Sequence, residues 1–61
     1  MGDNHATLKG YTKEILASNG DLDLYLLVQP DADLDDTFKA WDTDAQEWVK
    51  VNGWLFRIES L

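Results

Sequence analysis

The chain is 61 residues long, carries a net charge of −7 and contains no cysteine. A domain of this size buries only about 60% of its unfolded surface, so its core is thin and leaves little volume for a substrate pocket. Disulfides and thiolate metal sites are excluded, and the acidic balance argues against general attraction to nucleic acid or to an anionic membrane.

Residues 1–6 are expected to be a frayed terminus with nothing to anchor them. The polar start, Met1-Gly2-Asp3-Asn4-His5, leads into no apolar signal core, and Ala6 stands where a myristoylation pattern needs Ser or Thr. His5, the only histidine, is expected to be solvated and idle in that tail.

Residues 7–18, TLKGYTKEILAS, support two assignments. Leu8, Tyr11, Ile15 and Leu16 fall at helical spacing, with Asn19-Gly20 as a left-handed cap. Gly10 and two threonines are poor helix residues, however, and Asn19-Gly20 is equally a hairpin signal. As a strand turning at residues 18–21, the segment sets Ala17 opposite Leu22, Ile15 opposite Leu24, Lys13 opposite Leu26 and Tyr11 opposite Val28. The strand is the favoured assignment. The alternative is an α+β fold with helix 7–18 packed on a four-stranded sheet.

Asp21–Gln29, DLDLYLLVQ, alternates as a half-buried strand, with Leu22, Leu24, Leu26 and Val28 on one face and Tyr25 and Leu27 on the other. Its apolar run, Leu24–Val28, is far too short to span a bilayer. Pro30 ends the strand because it has no N–H to donate. A loop with four aspartates and one larger apolar residue, Leu34, follows to Asp36.

Thr37–Ser60 holds all three tryptophans and both phenylalanines. Trp41 opposite Trp48 puts Ala40 against Val49 and Phe38 against Val51, which gathers the apolar residues on one face. The same register opposes Lys39 to Lys50, a like-charge cost that stacking on the neighbouring indoles offsets. Asp42–Glu47 is a polar turn whose aspartates can bond nearby amides. Asn52-Gly53 between β-branched and aromatic runs predicts a type I′ hairpin with Val51 facing Trp54. That hairpin places Val49, Val51, Trp54, Phe56 and Ile58 inward, and Trp48, Lys50, Leu55 and Arg57 outward.

These elements predict a single all-β domain over residues 7–61, a small antiparallel meander of about five strands. The sheet is expected either to bend strongly or to close as an SH3-like barrel, since closure removes exposed edges. EWVKV followed by GWLF (Glu47–Val51, Gly53–Phe56) resembles the later strands of SH3-like domains over that short stretch. The proline-binding motifs of that family are missing from the sequence, so the resemblance implies a fold form and no function.

Three candidate surfaces emerge. Trp41, Trp48, Lys39, Lys50 and Arg57 would bring three of the five cations beside two indoles, a recognition face for an acidic peptide or phosphate. The competing account is an outer sheet face, or a second small core covered by the first strand and Leu55. Asp31, Asp33, Asp35, Asp36, Asp42 and Asp44 form an acidic docking surface that would imitate a phosphate backbone and block a basic nucleic-acid-binding protein. The Asp31-x-Asp33-x-Asp35 spacing also suggests a calcium loop, but positions six and twelve of an EF-hand are Asp36 and Asp42 here rather than Gly and Glu. The ordinary role of these acids is solubility. No nucleophile–base pair or phosphate-cradling glycine loop is present, so the chain is read as a non-enzyme without a cofactor or metal. The expected protein is a cytoplasmic interaction domain, monomer or homodimer, whose partner is an unidentified protein rather than nucleic acid or membrane.

Overall fold

A computed structural model describes residues 8–61, so the terminus expected to fray, with His5, lies outside the described residues. Within them the chain forms β1 (Lys13–Ser18), β2 (Asp23–Val28), β3 (Thr37–Asp42), β4 (Glu47–Asn52), one 3₁₀ turn (Gly53–Leu55) and β5 (Arg57–Ser60). The strands make a single antiparallel sheet in the order β4-β3-β2-β1-β5. The domain is all-β, and the helical alternative for residues 8–18 is excluded. In β1, Ile15 and Ala17 are buried while Glu14 is exposed, a period of two. Gly10, at φ +89°, breaks the chain before the strand.

The connection from β4 to β5 explains how a one-sheet protein acquires a core. Asn52 and Arg57 lie on the two outermost strands, separated by four strand spacings, or about 19 Å in a flat sheet. Five residues of fully extended chain reach only about 17 Å, and a 3₁₀ turn shortens that reach. The sheet must therefore bend until its edges approach. Ile15, Ala17, Leu26 and Val28 sit inside the bend, none more than 1% exposed. Ile15, Leu26 and Val28, the largest of the fully buried side chains, each contribute about 1.5–3 kcal/mol. Ala32 and Leu34 of the β2–β3 loop, with Phe56, pack on the same cluster and complete its cover. The sheet is bent but not closed, and β4 and β5 remain its edges.

One register follows the sequence pattern, a second is shifted by two residues, and one connection departs from the pattern. Trp41 pairs with Trp48, Ala40 with Val49, Phe38 with Val51 and Lys39 with Lys50, as the apolar pattern requires. In β1–β2 the partners are Ala17–Leu24, Ile15–Leu26 and Lys13–Val28, two residues from the expected register. The loop is Asn19–Leu22 because the Asn19 carboxamide oxygen accepts the amides of Asp21 (2.9 Å) and Leu22 (2.8 Å). A slip of two preserves the faces, so the buried set survives, but Leu22 is left in the loop, 53% exposed.

Asn52-Gly53 does not form a hairpin. Asn52 has φ −88° and Gly53 opens the 3₁₀ turn; neither adopts the positive φ that a type I′ turn needs. β5 pairs with β1, with Ala17 opposite Ile58. Val51 therefore does not face Trp54, which is 66% exposed, whereas Val49, Phe56 and Ile58 pack on the core as expected. Crossing to β1 covers the interior that a β4–β5 hairpin would have left open.

Asp42, at the end of β3, is the one buried charged residue among those described. Its Oδ1 accepts the amides of Asp44 and Ala45, both at 3.0 Å, and Gln46 closes the turn at φ +57°. Replacing Asp42 by Ala is expected to cost about 1–2 kcal/mol, because two turn amides lose their acceptor. For a domain of this size that lowers Tm by roughly 4–16 °C. Thermal denaturation checks it, and Asp42→Asn, which keeps the oxygen, should recover most of the loss.

Candidate functional site

The face of the sheet opposite the core carries the candidate site. Side chains alternate, so Lys39 and Trp41 on β3 project away from Phe38 and Ala40, and Trp48 and Lys50 do the same on β4. The two indoles meet edge to face, with centroids 5.1 Å apart and planes at 72°. Lys39 Nζ lies 4.4 Å from the centre of the Trp48 ring, a cation–π contact worth about 0.5–1 kcal/mol at an exposed position. That contact offsets part of the Lys39–Lys50 repulsion, so the register is tolerated despite the opposed charges. Both tryptophans are half-buried and both lysines are exposed.

Tyr11 completes the group. Its ring sits 4.9 Å from that of Trp48 at 70°, a second edge-to-face contact on the same indole. The sequence pattern put Tyr11 on the core face opposite Val28; the two-residue shift of β1 instead leaves it before the strand. There the Leu8–Gly10 turn, closed by the Tyr11 N–H to Leu8 carbonyl bond of 2.9 Å, directs it over the opposite face. Gly10 is the sequence signal for that break. Part of this face is thus a small aromatic cluster joined by Tyr11 from the segment before β1, rather than a second core covered by the first strand and Leu55, which is 56% exposed.

Arg57 does not join the lysines. Through Ser18 it belongs to the same face by register, but it stands on β5, three strand spacings or about 14 Å across the sheet from β3. It borders a separate open depression of about 440 Å³ with Ser18, Asn19, Gly20 and Leu55. The Asn52-Gly53 hairpin was what brought Arg57 beside Trp48, and the crossing connection removes that proximity.

The acidic surface also divides. Asp31, Asp33, Asp35 and Asp36 occupy the loop before β3, while Asp42 and Asp44 lie at its far end, about 17 Å away along six residues of strand. Asp42 is turned inward as the turn acceptor described above, so it is not a docking charge. Within the first loop, Asp33 Oδ1 accepts the Asp35 amide and Asp36 Oδ1 the Thr37 amide. These bonds use the carboxylates to shape the loop. Among the described residues no three acidic or imidazole groups gather to hold a metal ion, and no helix is long and apolar enough to cross a membrane.

A second open depression, of about 350 Å³, is bordered by Glu14, Tyr25, Thr43 and Asp44, beside the β3–β4 turn. No family model matches the chain, and no curated protein or solved structure matches it.

Proposed function

We propose that the chain is a non-enzymatic protein-interaction domain whose contact surface is Trp41, Trp48, Lys39 and Lys50, extended by Tyr11, and whose ligand is an acidic peptide segment. The supporting observation is the pair of exposed lysines facing each other beside two edge-to-face indoles, in a chain of net charge −7. Opposed like charges on neighbouring strands cost stability. An acidic ligand would remove that cost on binding, while the rigid indoles supply contact area with little rotamer entropy to lose. A cytoplasmic setting accords with a domain of this size that lacks disulfides.

The test is an NMR titration with aspartate- and glutamate-rich peptides carrying one aromatic residue. The indole N–H signals of Trp41 and Trp48 are expected to shift, while that of Trp54, exposed on the 3₁₀ turn, stays in place as an internal control. Lys50→Glu separates binding from stability. It replaces a Lys–Lys opposition by Glu–Lys and should stabilise the domain by about 0.2–1 kcal/mol. Peptide affinity should fall by roughly tenfold or more through the reversed charge. Shifts confined to β5, or affinity unchanged in Lys50→Glu, would refute the assignment.

A further inference from the structure

The β5 edge has a geometry suited to a specific partner. Leu61 N–H donates to the Glu14 carbonyl at 3.0 Å, continuing the β1–β5 register in which Leu16 faces Glu59. Leu61 and Glu14 are therefore a hydrogen-bonded pair, and such pairs recur at every second residue of an antiparallel ladder. Glu59 and Arg57 turn their backbone groups toward β1 in the same way. The N–H and C=O groups of Ile58 and Ser60 consequently point outward, away from the sheet, and among the described residues β5 is an edge with no neighbour on that side. Arg57, Glu59 and Ser60 are exposed and Ile58 is half-buried, so no described residue covers this edge.

We propose that β5 pairs with β5 of a second copy of this chain, antiparallel about a two-fold axis at Ile58. Outward backbone groups can meet only when residue numbers in opposed pairs sum to an even value. Ile58 opposite Ile58 of the partner copy then forms a hydrogen-bonded pair. Arg57 of each copy stands opposite Glu59 of the other at the non-hydrogen-bonded positions, where Cα atoms are closest, about 4.5 Å. Both ion pairs form at once because the interface is self-complementary. A slip of one step in either direction would set Arg57 against Arg57, or Glu59 against Glu59, and is disfavoured. The other edge, β4, offers no such match. Its charges, Glu47 and Lys50, are three residues apart and on opposite faces, so no self-pairing sets them opposite each other.

Pairing at β5 would supply the donors and acceptors that an open edge lacks and would join two thin sheets into one. The two-fold axis runs perpendicular to the sheet, so both copies present Trp41 and Trp48 to the same side. The dimer does not depend on those residues and stands on the edge geometry alone. Few residues take part, which places the interface at the weak end of the range, with dissociation in the micromolar to millimolar region.

Sedimentation equilibrium of the full chain from about 10 µM to about 1 mM, the span of a weak interface, tests the proposal. The mass should rise from 7.0 kDa toward twice that value. Arg57→Glu and Glu59→Arg, each alone, should raise the dissociation constant roughly tenfold or more, since two attractive pairs become two repulsive ones. The double exchange R57E/E59R should restore it, because opposite charges again face each other. Ser60→Pro removes an outward donor and leaves the β1–β5 ladder its bonds, so it should yield a folded monomer by circular dichroism. A chain that stays monomeric at about 1 mM, or a dimer indifferent to the single charge reversals, overturns the proposal.

Discussion

Gly53→Ala is expected to remove most of the stability of the domain. A Cβ built on Gly53 would lie 1.6 Å from the Leu34 carbonyl oxygen and 2.6 Å from its carbon. These are backbone atoms of the β2–β3 loop, with no rotamer to yield. The Gly53 N–H also donates to the Asp36 carbonyl at 3.0 Å, and any shift that clears the new methyl strains that bond. Overpacking of this kind costs about 1–3 kcal/mol, and loss of a buried backbone bond adds about 1 kcal/mol. A single core of this size rarely supplies more than about 3–5 kcal/mol, so the variant should be largely unfolded at 37 °C. Circular dichroism with urea titration measures this. Gly20→Ala is the control: Gly20 has φ +96° and open space around its Cα, so only the left-handed backbone is penalised, by about 1 kcal/mol. A Gly53→Ala protein as stable as Gly20→Ala would mean that the loop and the 3₁₀ turn do not approach as described.

The two Asn-Gly pairs show what local chemistry discloses and what it leaves open. At Asn19-Gly20 the glycine takes positive φ and the asparagine caps the following amides, so the dipeptide does turn the chain, although the loop is residues 19–22 rather than 18–21. At Asn52-Gly53 the same dipeptide serves a long-range need: glycine is required because another segment's backbone passes too close for a side chain. A dipeptide cannot distinguish these uses, since the second depends on the location of Leu34 after the sheet has bent. Alternation fared better. It identified the β3–β4 register and the interior members of β1 and β2, because a slip of one residue would have exposed them all. It could not fix the β1–β2 register to better than two residues, and that residual freedom decided the fate of Tyr11. In the candidate site, the four residues on β3 and β4 were legible and Arg57 was misplaced with the hairpin that carried it.

Trp48→Ala is the second substitution expected to have a large effect. Its ring touches Tyr11, Trp41 and the Lys39 ammonium group. Full truncation of a buried aromatic costs about 3–5 kcal/mol; Trp48 is half-buried, so about 2–3 kcal/mol is expected, with an accompanying loss of order in the segment that holds Tyr11. Hydrogen exchange of the Tyr11 amide, bonded to the Leu8 carbonyl, reports that loss directly. Trp54→Ala, by contrast, removes a ring that is 66% exposed and should change stability by no more than about 0.5 kcal/mol. The contrast bears on how recognition by this face is to be tested. Trp48 holds the aromatic cluster together, so weakened peptide binding in Trp48→Ala would follow from disorder as readily as from a lost contact. Trp48→Phe retains an aromatic ring for Tyr11 and Lys39 and should preserve most of the fold while presenting less surface. If Trp48→Phe and Lys50→Glu both weaken peptide binding in folded protein, the face recognises its ligand through ring area and charge together. If only Trp48→Ala does so, the aromatic cluster is a second core whose role is to anchor the chain before β1.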